Sequence, residues 1–209
     1  MFIHLGDLLE GLAASKWPHE ERLPLSEEYA SSDQLLQRIM DTIPKAEYVW
    51  LQGNHDANIL AQLRISDELR DLCDYRRHMK TFKYWKHLPY LYDRNKCVYR
   101  LGQVGFAHGF EASANSDEHQ AYILGVPYGL MVFGHTHKPR DVEQAKRTQT
   151  LPIPWGPWYC NVGTMGRLMP RYMERKRNYT WGAAACVGEA TILKSPRLSR
   201  SWEAQIIRP

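Results

Sequence analysis

Short apolar runs recur along the chain, and each stops abruptly in a cluster of glycine, carboxylate, amide or imidazole residues. Phe2-Ile-His-Leu5 runs into Gly6-Asp7, Tyr48-Val-Trp-Leu51 into Gly53-Asn54-His55-Asp56, and Val104-Gly-Phe106 into His108-Gly109. Leu130–Phe133 leads to Gly134-His135-Thr136-His137, and Trp158–Cys160 to Asn161-Val162-Gly163. Runs this short, rich in β-branched and aromatic residues and closed by glycine, fit buried β-strands rather than helices. Between them, Leu35, Leu36, Ile39, Met40 and Ile43 recur at helical spacing, with Ser32-Asp33 as an expected N-cap and Pro44 as a stop. A second helix is expected over Ala57–Leu72, and a third over Ser116–Leu124 from a Ser-Asp cap.

Strands alternating with helices predict an α/β layered domain, in which ligands gather at the carboxyl ends of the strands. All five polar clusters fall at such ends. Residues 11–31 read as a long loop or lid after the first strand. Residues 138–157 read as a second irregular stretch, because Pro139, Pro152, Pro154 and Pro157 interrupt it. Neither marks a domain boundary, so residues 1–209 are expected to form one domain. A short strand is expected at Thr191–Leu193 in the tail.

Composition narrows the class. At 209 residues and 44% apolar, the chain can bury a sizeable core. Its longest apolar runs, such as Gly182–Val187, fall far below the roughly 18–20 residues that span a bilayer, and the N-terminus lacks a basic, apolar leader; a cytoplasmic protein with no membrane partner is expected. Cys73, Cys97, Cys160 and Cys186 form no C-x-x-C pair and are expected to be buried free thiols. The net charge of +4 is uneven: residues 138–209 carry 13 Lys/Arg against 5 Asp/Glu, the remainder 14 against 18. A basic last third suits a phosphorylated or polyanionic partner, and Arg167, Arg171 and Arg175-Lys176-Arg177, interleaved with Tyr172 and Tyr179, suit a nucleic-acid backbone.

The strand-end clusters supply one carboxylate (Asp7), one amide oxygen (Asn54) and the imidazoles of His55, His108, His135 and His137. A carboxylate with several imidazoles is a ligand set for Zn²⁺, Mn²⁺ or Fe²⁺ rather than Ca²⁺. Alternation along an extended backbone would point His135 and His137 to opposite sides, so that one loop serves two metals. His4, His19, His78, His87 and His119 are expected at the surface or as caps.

Gly6-Asp7-x-x-Glu10, Gly53-Asn54-His55-Asp56, Ala107-His108-Gly109 and Gly134-His135-Thr136-His137, in this order, resemble the calcineurin-like metallophosphoesterase superfamily, and Asn161-Val162-Gly163 resembles its later Asn-x-Gly loop. The resemblance implies a four-layer α/β/β/α sandwich with two divalent metal ions (Mn, Fe or Zn) that hydrolyses phosphomonoesters or phosphodiesters. It implies that Asp7 bridges the metals, that Asn54, His108 and His135 complete one site, and that His137 belongs to the other. His55 would act on the leaving group, with Asp56 holding its imidazole, and Glu10 and Asn161 would support the ligands from behind. The family's opening Asp-x-His is absent, which implies a missing first strand and an incomplete second site, expected from a late-assigned start or a truncated gene. A nuclease of the same superfamily, or a non-catalytic scaffold with a degenerate site, are the alternatives.

Overall fold

In the computed structural model, residues 1–14, 23–62, 70–91, 93, 96–146, 156–165, 182–191 and 200–209 are described. They divide into two compact units, residues 1–90 and 91–209. No described helix is long and apolar enough to cross a membrane.

The first unit is built on a three-stranded parallel sheet of β1 (Phe2–His4), β2 (Tyr48–Leu51) and β3 (Lys86–Leu88), with β2 in the middle. Helix α1 (Leu25–Thr42) follows β1, and α2 (Asn54–Ala61) follows β2. The short helices α3 (Arg70–Cys73) and α4 (Tyr75–His78) precede β3. Alternation along β2 turns Trp50 into an aromatic core, where its ring meets those of Tyr75, Phe82 and His87 at 5.3–5.8 Å. Leu9, Leu36 and Ile59 complete that core at 0% exposure.

Helix α1 begins seven residues before its expected cap, so residues 25–31 are helix and not lid. Pro24 fixes the entry, and Glu27 and Glu28 occupy the first turn, where carboxylates favour a helix N-terminus. Its buried face runs through Leu25, Glu28, Tyr29, Ser32 and Leu36. Ser32 and Asp33 are therefore interior positions, and Asp33 accepts from the Thr81 backbone N–H at 2.8 Å. Residues 15–22, with His19, and residues 63–69 of the expected second helix lie outside the described residues. His4 and His87 are not surface groups: His4 is 9% exposed, and His87 belongs to the Trp50 cluster.

The second unit holds a five-stranded mixed sheet in the order β4 (Tyr99–Leu101), β5 (Val104–Ala107), β6 (Leu130–Phe133), β8 (Trp158–Asn161) and β7 (Arg140–Gln144). Strands β5, β6 and β8 are parallel, and β4 and β7 close the edges antiparallel. All four residues of β6 are buried, as a central strand covered on both faces requires. Helix α5 (Ser116–Leu124) has its expected bounds, but Ser116 and Asp117, expected as its cap, are its first two residues, and Asn115 stands at the N-cap position without a side-chain bond. β7 lies inside the stretch expected to be irregular, since Pro139 precedes it and the next proline comes eight residues after it. The tail forms an antiparallel ribbon of β9 (Ala185–Ala190) and β10 (Trp202–Ile207). Thr191 lies just past β9, and residues 192–193 lie outside the described residues. All four cysteines are free thiols, three of them buried and Cys186 half-buried.

Candidate metal centre

At the carboxyl edge of the first sheet, Gly6 (φ 96°) and Asp7 (φ 51°) turn the chain sharply out of β1. A non-glycine residue in the left-handed region is uncommon and persists where its surroundings hold it. The Asp7 Oδ1 accepts the backbone N–H of His55 at 3.0 Å, within the first turn of α2, where the helix end attracts negative charge. Gly53 allows this approach: a Cβ there would fall 2.1 Å from Asp7 Oδ1. Asn54, half-buried, opens the helix.

Asp56 is fully buried and accepts two backbone N–H groups, from Leu9 at 2.9 Å and from Gly53 at 2.8 Å. It ties the Asp7 loop to the start of α2, which differs from the expected role of holding the His55 imidazole. That ring is met by Glu10, whose carbonyl oxygen lies 3.2 Å and whose Oε2 lies 3.4 Å from His55 Nδ1. Burial pulls the His55 pKa down, but the Glu10 hydrogen bond and the charges of Asp7 and Glu10 outweigh it and hold the group at about 9. Glu28 accepts the N–H groups of Gly11, at 2.8 Å, and of Glu10, bracing the loop from α1. Only its place on the buried face of α1 could have signalled it.

At the carboxyl edge of the second sheet, the chain leaves β5, β6 and β8 side by side, so His108, the 134–137 segment and Asn161–Gly163 gather there. His108 Nε2 lies 3.1 Å from His135 Nδ1, and His108 is 4% exposed. The 134–137 segment is a turn and not an extended strand: the His137 N–H bonds the Gly134 carbonyl at 3.3 Å, and His137 takes φ 59°. The alternation expected for His135 and His137 therefore gives way to a tight reversal. Asn161, fully buried, donates from Nδ2 to Asp117 Oδ1 and to Thr136 Oγ1, both at 3.0 Å, and accepts the Gly163 N–H at 2.8 Å.

Asp7 in the first unit, and His108 and His135 in the second, each offer a metal-ligand atom. The donor types suit a borderline divalent ion. Two ring nitrogens on one such ion at about 2.0–2.1 Å, at angles between octahedral and tetrahedral, stand about 2.8–3.4 Å apart, a range that contains the His108–His135 separation.

The basic residues 167–177 and Tyr179 lie outside the described residues. No family model, characterised protein or solved structure matches the chain.

Proposed function

We propose that this chain is a divalent-metal-dependent phosphoester hydrolase of the calcineurin-like metallophosphoesterase type, with the four-layer sandwich that type implies. As the resemblance implies, Asp7, Asn54, His108 and His135 would hold one ion, with Asp7 shared with a second that His137 also ligates. The observation that carries the reading is the His108–His135 pair, two imidazole nitrogens facing each other at 3.1 Å where parallel strands end.

A bound divalent ion supplies a water acidified toward hydroxide near neutral pH and positive charge against the phosphoryl oxygens. The residues do the rest. Asp7 presents its carboxylate from a strained turn that the N-terminus of α2 and the close backbone of Gly53 hold in place. His55, whose ring Nδ1 is met by Glu10, would donate its proton to the leaving oxygen of a phosphoester. Asp56 and Glu28 keep the loop between Asp7 and Gly11 fixed relative to that imidazole.

The test is hydrolysis of bis-p-nitrophenyl phosphate and p-nitrophenyl phosphate by the full chain with Mn²⁺, with and without chelator. Hydrolysis that Mn²⁺ restores after chelation, and that His135→Ala lowers at least a hundredfold, is the expected result. A folded chain that hydrolyses neither compound at any Mn²⁺ concentration overturns the reading.

A further inference from the structure

Asp117 is 3% exposed in the first turn of α5, and nothing in the proposed chemistry uses it. A buried carboxylate costs several kcal/mol unless it is fully bonded, so its partners define what it does. One oxygen accepts from Asn161 Nδ2 at 3.0 Å. The other faces Arg140 Nε at 3.5 Å, and Arg140 is itself held by a 2.7 Å bond to the Ala114 carbonyl.

A carboxylate oxygen accepts and a backbone N–H donates, so Asp117 on one side and the Gly163 N–H on the other together fix which way the Asn161 amide points. With its NH₂ turned toward Asp117, the amide sends its second hydrogen to Thr136 Oγ1 at 3.0 Å and leaves its oxygen for the Gly163 N–H. Thr136 lies between His135 and His137, in a turn closed by the 3.3 Å bond from the His137 N–H to the Gly134 carbonyl. The Gly182 N–H holds the His137 carbonyl from outside at 3.0 Å. The orientation of one buried amide thereby reaches the backbone that carries both imidazoles.

We propose that Asp117 is a positioning residue for the His135-Thr136-His137 turn, acting through the Asn161 amide. The inference rests on the reading of His135 and His137 as metal ligands. Groups that support ligands in this indirect way typically change metal affinity about 10–100-fold when removed.

The experiment compares the full chain with Asp117→Ala and with Thr136→Val, a near-isosteric change that cuts the same link at its other end. Folding is checked by circular dichroism, and the imidazole nitrogens are followed by long-range ¹H–¹⁵N spectra without metal. Both variants are expected to shift the His135 and His137 ring signals while those of His55 and His87 stay in place, and to weaken Mn²⁺ binding about 10–100-fold. Should Asp117→Ala fail to fold, Thr136→Val alone decides. Unmoved His135 and His137 signals in a folded variant, or Mn²⁺ affinity equal to that of the unaltered chain, overturn the inference. An unaltered chain that takes up no Mn²⁺ instead overturns the metal reading, and the role of Asp117 at a metal falls with it, whatever the ring signals show.

Discussion

The Nε2 of His108 and the Nδ1 of His135 lie 3.1 Å apart across the ends of two neighbouring parallel strands, β5 and β6. Without a cation, this contact requires one ring to donate an N–H to the lone pair of the other. A shared cation instead takes both lone pairs. Either ring alone is an ordinary histidine; their apposition makes the pair a candidate for holding a metal.

Replacing either ring should therefore act on the metal before it acts on the fold. His108→Ala and His135→Ala are each expected to weaken Mn²⁺ binding by at least tenfold, measured by titration calorimetry on protein whose circular dichroism is unchanged. Unaltered binding in both variants would show that the pair is a structural hydrogen bond and no more.

His55 should separate chemistry from metal binding. A general acid typically contributes about 10²–10⁴-fold to rate. His55→Gln is expected to lower kcat within that range and to leave Mn²⁺ affinity within threefold of the unaltered chain. If metal affinity falls in step with the rate, His55 belongs to the ligand sphere instead.

Asp56 should behave as a structural residue. Removing its carboxylate leaves two backbone N–H groups, of Leu9 and Gly53, without that acceptor, at about 1–3 kcal/mol each. Asp56→Ala is expected to lose about 2–4 kcal/mol in urea denaturation. A loss below about 1 kcal/mol would return Asp56 to the catalytic role that the sequence suggested.

The legible parts of this chain share one property, a pattern carried by neighbouring residues. Strands β2, β5, β6 and β8 are short apolar runs ended by glycine or polar clusters, and all lie at or near the expected positions. β7, reading Arg-Asp-Val-Glu-Gln, has no such pattern because an edge strand is held by its backbone pairing with β8. The start of α1 was hidden because Ser32-Asp33 imitates a cap, while the face that decides the helix begins at Leu25. At the site, the donor residues could be read from their clusters. Their supports could not, since Asp56 with Leu9 and Asn161 with Asp117 join residues 47 and 44 positions apart, and such separations leave no trace in spacing.

His87 gives the first unit a pH dependence of known sign. Burial, followed by the charge of Arg76, pulls its pKa down to about 4, against about 6.5 in an unfolded chain. Between those values the unfolded chain binds a proton that the folded one does not. The contribution of His87 is thus full above pH about 6.5 and is lost as pH falls toward 4, to a total of no more than about 3–4 kcal/mol. His87→Gln should flatten the change in urea midpoint between pH 7 and pH 5. An unchanged slope in the variant would assign the acid sensitivity to another group.

A single methyl group tests whether the backbone of Gly53 sets the position of Asp7. Gly53 has an ordinary extended φ of −91°, so alanine meets no backbone strain there. The obstacle is steric: its Cβ would stand 2.1 Å from Asp7 Oδ1 and 2.3 Å from Asp7 N. Either the Asp7 turn or the start of α2 must move, and overpacking of this kind costs about 1–3 kcal/mol. Because Asp7 Oδ1 also accepts the His55 N–H, movement of the turn pulls the carboxylate from the helix N-terminus. Gly53→Ala is therefore expected to fold, to melt at a lower temperature, and to bind Mn²⁺ at least tenfold more weakly. A variant that loses stability but keeps full Mn²⁺ affinity would mean that α2 yields instead, and that the carboxylate is held from the β1 side of the turn.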